Sequence, residues 1–314
     1  MLRALFFGIV VVLSHRALHA QDHGEPADSM QPPIVDSTDV GHSRERNEEN
    51  TTEYLPGWHD MFTRVPGDWG RFSRENFQAT RIPAIMGLAA LTGALIATDH
   101  DSWHSTERWS NRTRSSREIM NSFAEFGNGR TVLAFAGAFA LGGWVADDAR
   151  ALRTASQIVE CYLACGIAVQ LLKHLTGRER PERQSVPRGK WRFFPNQAEY
   201  HRSIPKFDAF PSGHTTGAMG LVTVLIENYP ELKWLRPVGY GAVGLVMVSL
   251  VSRGWHWYSD FPLALVLGYQ FGRIAAQPDN REETQQHTLR PVPTLSFSPL
   301  IGATGAGMMV SFTF

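Results

Sequence analysis

The chain has 314 residues, of which 43% are hydrophobic and 19% charged, and its thirty basic residues are matched by thirty acidic ones. That apolar content excludes a wholly disordered chain, and the balance of charge excludes a nucleic-acid binder working through bulk positive charge. Two cysteines are too few for a disulfide-rich scaffold or a cysteine-built metal cluster.

The N-terminus runs from Met1-Leu2-Arg3 into an apolar stretch, Ala4 to Leu13, and reaches a small residue at Ala20. A basic start, a short hydrophobic region and a small residue predict an export signal over 1–20, and with it a cell-envelope membrane or periplasmic location. The stretch is too short to span a bilayer comfortably; an uncleaved anchor is the alternative. Residues 21–55 are polar and aperiodic, which predicts a disordered linker.

A helical domain is expected over 56–280. Six apolar runs carry it: Ile82–Thr98, Thr131–Ala146, Ala151–Leu175, a run from just after Pro211 to about Asn228, Leu235–Ser252 and Ser259–Ala276. Their lengths and Gly/Ala content predict helices rather than strands. Pro83 stands where a first-turn proline is tolerated, and Pro230 and Pro237 punctuate the gap between the fourth and fifth runs. A shorter amphipathic helix is expected around Ser116–Phe126. Cys161 and Cys165, four apart on the third run, read as small core residues. Most runs are about 16–18 residues, short of the roughly 20 of a clear membrane span. Two architectures are therefore open: a membrane-embedded six-helix bundle, or a soluble bundle with buried central helices. Residues 281–314 read as a linker and a C-terminal β-hairpin. Met308, Val310, Phe312 and Phe314 alternate with Met309, Ser311 and Thr313 after glycines 302, 305 and 307, with Thr294–Ser298 as the partner strand.

The residues able to do chemistry cluster at the ends of consecutive runs. Lys173 and Arg180 close the third and supply fixed positive charge, Arg180 with a forked geometry suited to phosphate oxygens. Ser212 and Gly213 open the fourth, where free backbone N–H groups and the helix dipole favour an anion. His214 follows, placed to give a proton to a leaving oxygen. His256 and Asp260 follow the fifth at a spacing of four; on a continuing helical turn the carboxylate would hold one imidazole nitrogen and leave the other free to attack. Each signal alone has a bland reading as a cap or a surface pair. In an up-down bundle they converge on one end. The segment between Pro181 and Phe210 is basic and aromatic and reads equally as a lid over an anionic substrate or as a solvated loop packed back on the bundle.

In these residues the sequence resembles the type 2 phosphatidic acid phosphatase (PAP2) superfamily, which shares its site with vanadium haloperoxidases. Lys173 through Arg180-Pro181 matches the first motif of that family and Pro211-Ser212-Gly213-His214 the second. His256 and Asp260 match the second half of the third. The first half departs: Leu250, preceded by Ser249, stands where the motif has arginine, and Arg253 lies three residues nearer the histidine. The resemblance spans roughly residues 80–276. It implies an all-α, six-helix PAP2-type bundle and a metal-independent phosphatase acting on phosphate monoesters or lipid (di)phosphates. Lys173, Arg180, Ser212 and Gly213 would bind phosphate, His214 would be the general acid, His256 the nucleophile forming a phosphohistidine, and Asp260 its orienting partner. Arg253 is expected to replace the missing arginine, since three helical residues displace a side chain by about 60°, within reach of a guanidinium. No metal or other cofactor is implied, and vanadate would inhibit. The implied partners are a phosphorylated small molecule or lipid and a membrane, with no nucleic acid. Two alternatives remain: a vanadate-dependent haloperoxidase, in which vanadate is the cofactor, and a non-catalytic envelope bundle that retains the fold.

Overall fold

The computed structural model describes residues 59–277 and the backbone of 294–302 and 305–313. The expected export signal, the linker over 21–55 and the connection over 281–293 lie outside the described residues. The helices are α1 (Val65–Asn76), α2 (Ile82–Ser110), α3 (Arg114–Ala124), α4 (Gly129–Ala146), α5 (Ala149–Thr176), α6 (Gly213–Asn228), α7 (Leu235–Ser252) and α8 (Phe261–Ala276), with a few single turns between them.

Each of the six apolar runs lies largely within a helix, but the six-helix count does not hold, because α1 and α3 add to it. Helix α1 has no long apolar stripe. Two rings hold it instead: Phe72 stacks on Phe271 of α8 at 4.6 Å, and Trp69 lies 5.6 Å from the same ring. Helix α2 continues well past Thr98 through a polar stretch whose buried members, Asp99 and Trp103, face the bundle. Several starts are capped by the side chain before them: Thr113 accepts from the Ser116 N–H at 3.0 Å, Asn128 from Arg130 at 3.1 Å and Asp148 from Ala151 at 3.1 Å.

The core is the packing of α5, α6 and α8. Their backbones approach so closely that side chains would not fit between them. A Cβ on Gly268 of α8 would lie 2.5 Å from the Thr216 carbonyl of α6, and one on Gly220 would lie 2.7 Å from the Cys161 sulfur of α5. Helix α6 is buried along nearly its whole length. At its far end Arg150 of α5 bonds the Asn228 carbonyl and the Glu231 carboxylate, the latter at 2.8 Å, which fixes the two helices end to end.

Among the described residues, four helical segments are long and apolar enough to cross a membrane: Ala79–Ser110, Gly129–Ala146, Ala149–Thr176 and Leu235–Ser252. Helices α6 and α8 fall short of that length and lie inside the bundle. Large apolar side chains stand exposed along the outer helices, among them Ile82, Met86 and Leu91 on α2 and Leu141, Trp144 and Val145 on α4. Apolar surface of this extent is that of a membrane-bound chain rather than of a water-facing bundle. Near the C-terminus the backbone of β1 (Thr294–Gly302) pairs antiparallel with β2 (Gly305–Thr313), Thr294 opposite Thr313 and Gly302 opposite Gly305.

Candidate active site

Backbone hydrogen bonds stitch three helix ends together. Helix α5 stops at Gly177, whose left-handed conformation (φ 51°) closes the helix on the Lys173 carbonyl; a side chain there would collide with the Arg192 carbonyl. The chain then runs extended through Arg178, which pairs with both Trp191 and Asp208. The Ala209 N–H donates to the Arg178 carbonyl at 3.0 Å, so residues 207–210 lie alongside 178–180. After α7 a turn at Gly254 (φ 70°) brings its carbonyl to the Glu182 N–H at 3.0 Å. The Ser212 N–H, at the mouth of α6, donates to the Asp260 carbonyl at 3.2 Å.

These stitches bring the expected phosphate ligands together. The Lys173 ammonium is buried, and a Cβ on Gly213 would lie 3.9 Å from it. Arg180 forks onto Asp208 with two bonds of 2.7 Å, and Lys173 stands 3.7 Å from the same carboxylate. Burial alone would raise the Asp208 carboxyl, but Lys173 and Arg180 outweigh it and hold the group below the ordinary carboxylate range. Asp208 was not legible as a site residue. Its one local signal is a carboxylate three residues before Pro211, in a chain that buries two cations nearby.

His256 is buried, and its geometry differs from the expected one. The chain from His256 to Asp260 is not a continuing α-turn: Tyr258–Asp260 is a short 3-10 turn that leads into α8. The nearest acceptor for the His256 Nδ1 is the main-chain carbonyl of Ala209 at 2.7 Å; the Asp260 carboxylate follows at 3.4 Å. Either partner directs Nε2 away from them. Asp260 itself is held on both oxygens, by the Trp257 N–H at 2.8 Å and by Arg178 at 2.6 Å. Burial lowers the His256 imidazole, with Lys173 and Arg180 adding to that, while Asp260 works against it. Behind Asp260, the fully buried Arg178 also bonds Ser259 at 2.6 Å and Asp99 of α2 at 2.8 Å, with Trp191 and Trp257 stacked at 4.7 and 5.4 Å. Neither Arg178 nor Asp99 stood out in the sequence.

His214 opens α6 with its ring 6.3 Å from that of His256. Burial first, then the charges of His256, Lys173 and Arg180, push its imidazole down to about 3. The Ser212 hydroxyl, expected on phosphate, is occupied as the helix cap: it accepts from the Thr215 N–H at 3.3 Å and donates to the Thr215 hydroxyl at 3.1 Å. The first-turn N–H groups of Gly213 and His214 have no helical acceptor by position and remain available to an anion. Arg253 lies one ring away from this group. Its guanidinium stacks on Trp255 at 4.2 Å and bonds Asn121 of α3 at 2.8 Å, while Trp255 lies 5.6 Å from the His214 ring. Leu250 is fully buried.

The basic segment is neither a free loop nor a simple cover. Glu179, itself buried, gathers the Ser185 N–H at 2.9 Å, the Lys190 N–H at 3.0 Å and Arg192 at 2.7 Å. Tyr200 and Phe207 pack inward, whereas Phe193 and Phe194 project outward at 67% and 77% exposure. Among the described residues no three His, Cys, Asp or Glu side chains are arranged to hold a metal ion.

Residues 154–282 match the family model of the PAP2 superfamily. Among solved structures, the chain is similar to the first transmembrane PAP2 type phosphatidylglycerolphosphate phosphatase from Bacillus subtilis. The two share 17% identity over 65% of this chain and 97% of that one, with a TM-score of 0.43. No curated protein matches the chain.

Proposed function

We propose, from the match of residues 154–282 to the PAP2 superfamily model, that the protein is a membrane-bound phosphatase that cleaves phosphate monoesters or lipid (di)phosphates through a phosphohistidine. The observation that carries the reading is that Lys173, Arg180, the α6 mouth and two histidines lie together at adjoining helix ends. Phosphoryl transfer asks the protein chiefly for positioning and for positive charge around the equatorial oxygens. Lys173, Arg180 and the N–H groups of Gly213 and His214 supply that charge. The Nδ1–H of His256 donates to the Ala209 carbonyl, so the Nε2 lone pair attacks phosphorus and the ester P–O bond breaks. His214 gives its proton to the leaving oxygen. A water then attacks the phosphohistidine, losing a proton to His214, and inorganic phosphate departs.

Burial and the neighbouring cations hold the His214 imidazole down at about 3, whereas a general acid must carry a proton. Burial is the larger cause, and a phosphate dianion beside the ring offsets the positive charges that add to it, so bound substrate favours the protonated acid. Arg253 enters this scheme as a rim residue acting through Trp255. The nucleophile in this reading is His256, so activity persists in chelator and vanadate competes with substrate. The test is turnover of a phosphate monoester by purified protein and by His256→Ala, with acid-stable and acid-labile label followed after a pulse of radiolabelled substrate. An acid-labile, base-stable label that vanishes with the nucleophile supports the scheme; near-wild-type turnover by His256→Ala overturns it.

A further inference from the structure

We propose that Asp99, a carboxylate on α2 well outside the family-matched segment, is a positioning residue of this active site: it sets Arg178, and Arg178 sets the Asp260 carboxylate that faces His256. The inference rests on the reading of His256 as the nucleophile.

Arg178 sits between two carboxylates. One nitrogen bonds Asp260 at 2.6 Å and the other bonds Asp99 at 2.8 Å, and all three side chains have no exposure. Asp99 also grips the turn that carries Asp260, accepting from the Ser259 N–H at 3.1 Å and from the Ser259 hydroxyl. The arrangement acts in two ways. It fixes where the Asp260 carboxylate lies, because both the turn and its arginine are tied to one rigid helix. It also divides the charge of Arg178. Paired with Asp260 alone, the guanidinium would neutralise that carboxylate and leave it little attraction for the His256 Nδ1–H. Shared with Asp99, it leaves Asp260 electron-rich enough to stabilise the imidazole as it becomes charged. A buried ion triad is weak evidence for stability, since apolar residues of similar volume serve as well or better. Asp99 is fully buried where α2 passes from its apolar to its polar half, and a buried carboxylate is costly unless it is paired. The PAP2-like segment therefore does not contain all of its own active-site support.

The experiment compares wild type with Asp99→Asn, which keeps the shape and removes the charge. The expected result is a fall in kcat on the order of 10- to 100-fold, the scale of a lost outer partner. KM and the inhibition constant for vanadate stay within about twofold, since Lys173, Arg180 and the α6 mouth are untouched. In an Asp260→Asn background the same change should add nothing, because its route to the nucleophile is already cut. Equal losses in both backgrounds would make Asp99 a packing residue and sink the proposal. A second measurement needs no turnover: titration of the His256 imidazole by nitrogen-15 NMR. The groups facing that ring are Asp260, Lys173, Arg180, Asp208 and His214. With those unchanged, Asp99→Asn should lower the His256 midpoint, as Arg178 turns wholly to Asp260. An unmoved midpoint together with wild-type kcat overturns the inference. If wild type itself hydrolyses no phosphate ester, the phosphatase reading fails while the titration still decides on Asp99. Should Asp99→Asn not fold, Ser259→Ala severs one arm of the same link, and unaltered kinetics and titration there count equally against it.

Discussion

Ser212 and His214 stand two residues apart and do different work. The Ser212 hydroxyl is spent on the cap of α6, so Ser212→Ala should act first on stability. Loss of such a cap costs about 0.5–2 kcal/mol, readable as a lower Tm, while the vanadate inhibition constant shifts by less than threefold. His214 makes acid sensitivity. Its unfolded value is roughly 6.5, and in the folded pocket burial and neighbouring cations push it down to about 3. A folded value below the unfolded one means that the unfolded chain binds the extra proton. The neutral His214 therefore supports the fold fully above about pH 6.5, and that support is lost as pH falls from there toward 3. The Tm of His214→Asn should drop less than that of wild type between pH 7 and 4, and saturating vanadate should flatten the wild-type curve by favouring the charged imidazole. Parallel curves for the two proteins would refute the depressed value. At this scale the sequence was legible where chemistry is local. Lys173, Arg180, Gly213, His214 and His256 sit in short motifs, and the structure brings them together. Asp208, Arg178 and Asp99 were illegible because their meaning is a pairing: Asp99 and Arg178 are joined across 79 residues, and no local pattern marks either.

Helices were the most legible level, since six runs of apolar residues announce themselves whatever they pack against. The shorter amphipathic helix expected around Ser116–Phe126 is α3 (Arg114–Ala124); what composition could not supply was several of the ends and the polar helix α1. Helix α1 is held by Trp69 and Phe72 against Phe271, a contact some 200 residues distant in the chain, and α2 continues past Thr98 because tertiary partners receive Asp99 and Trp103. The closeness of α5, α6 and α8 rests on glycine. At Gly268 a methyl would meet the Thr216 main chain at 2.5 Å, whereas at Gly244 of α7 nothing lies within 4 Å. Gly268→Ala should therefore destabilise by about 1–3 kcal/mol through overpacking. Gly244→Ala should be neutral or stabilise by up to about 1 kcal/mol through helix propensity. Denaturant midpoints of the two variants check this, and similar midpoints would show that the α6–α8 seam yields more easily than its geometry indicates.

Across the whole molecule, buried and exposed charge have separate tasks. Around the site, Lys173, Arg178 and Arg180 face Asp99, Asp208 and Asp260, and all of these but Arg180, whose side chain is 19% exposed, are buried away from solvent ions. Outside, Arg183, Arg188, Lys190, Arg202 and Lys206 are exposed on the segment that borders the pocket. The Debye length shrinks from about 10 Å at 0.1 M salt to about 3 Å at 1 M. Rising salt should thus lower kcat/KM for an anionic substrate and leave kcat nearly unchanged, and Arg183→Ala with Arg188→Ala should flatten that dependence. A kcat that fell in step with kcat/KM would place the salt-sensitive charge inside the pocket instead. The Ala209 carbonyl has a consequence of another kind. It is the closest acceptor to the His256 Nδ1, and a peptide oxygen neither titrates in the working range nor changes with the identity of its residue. The tautomer of His256 is therefore inherited from the path of the chain and not from any codon. Drift in sequence can erode the rate through Asp260 or Arg178, but it can take the proton off the correct nitrogen only by rerouting the main chain.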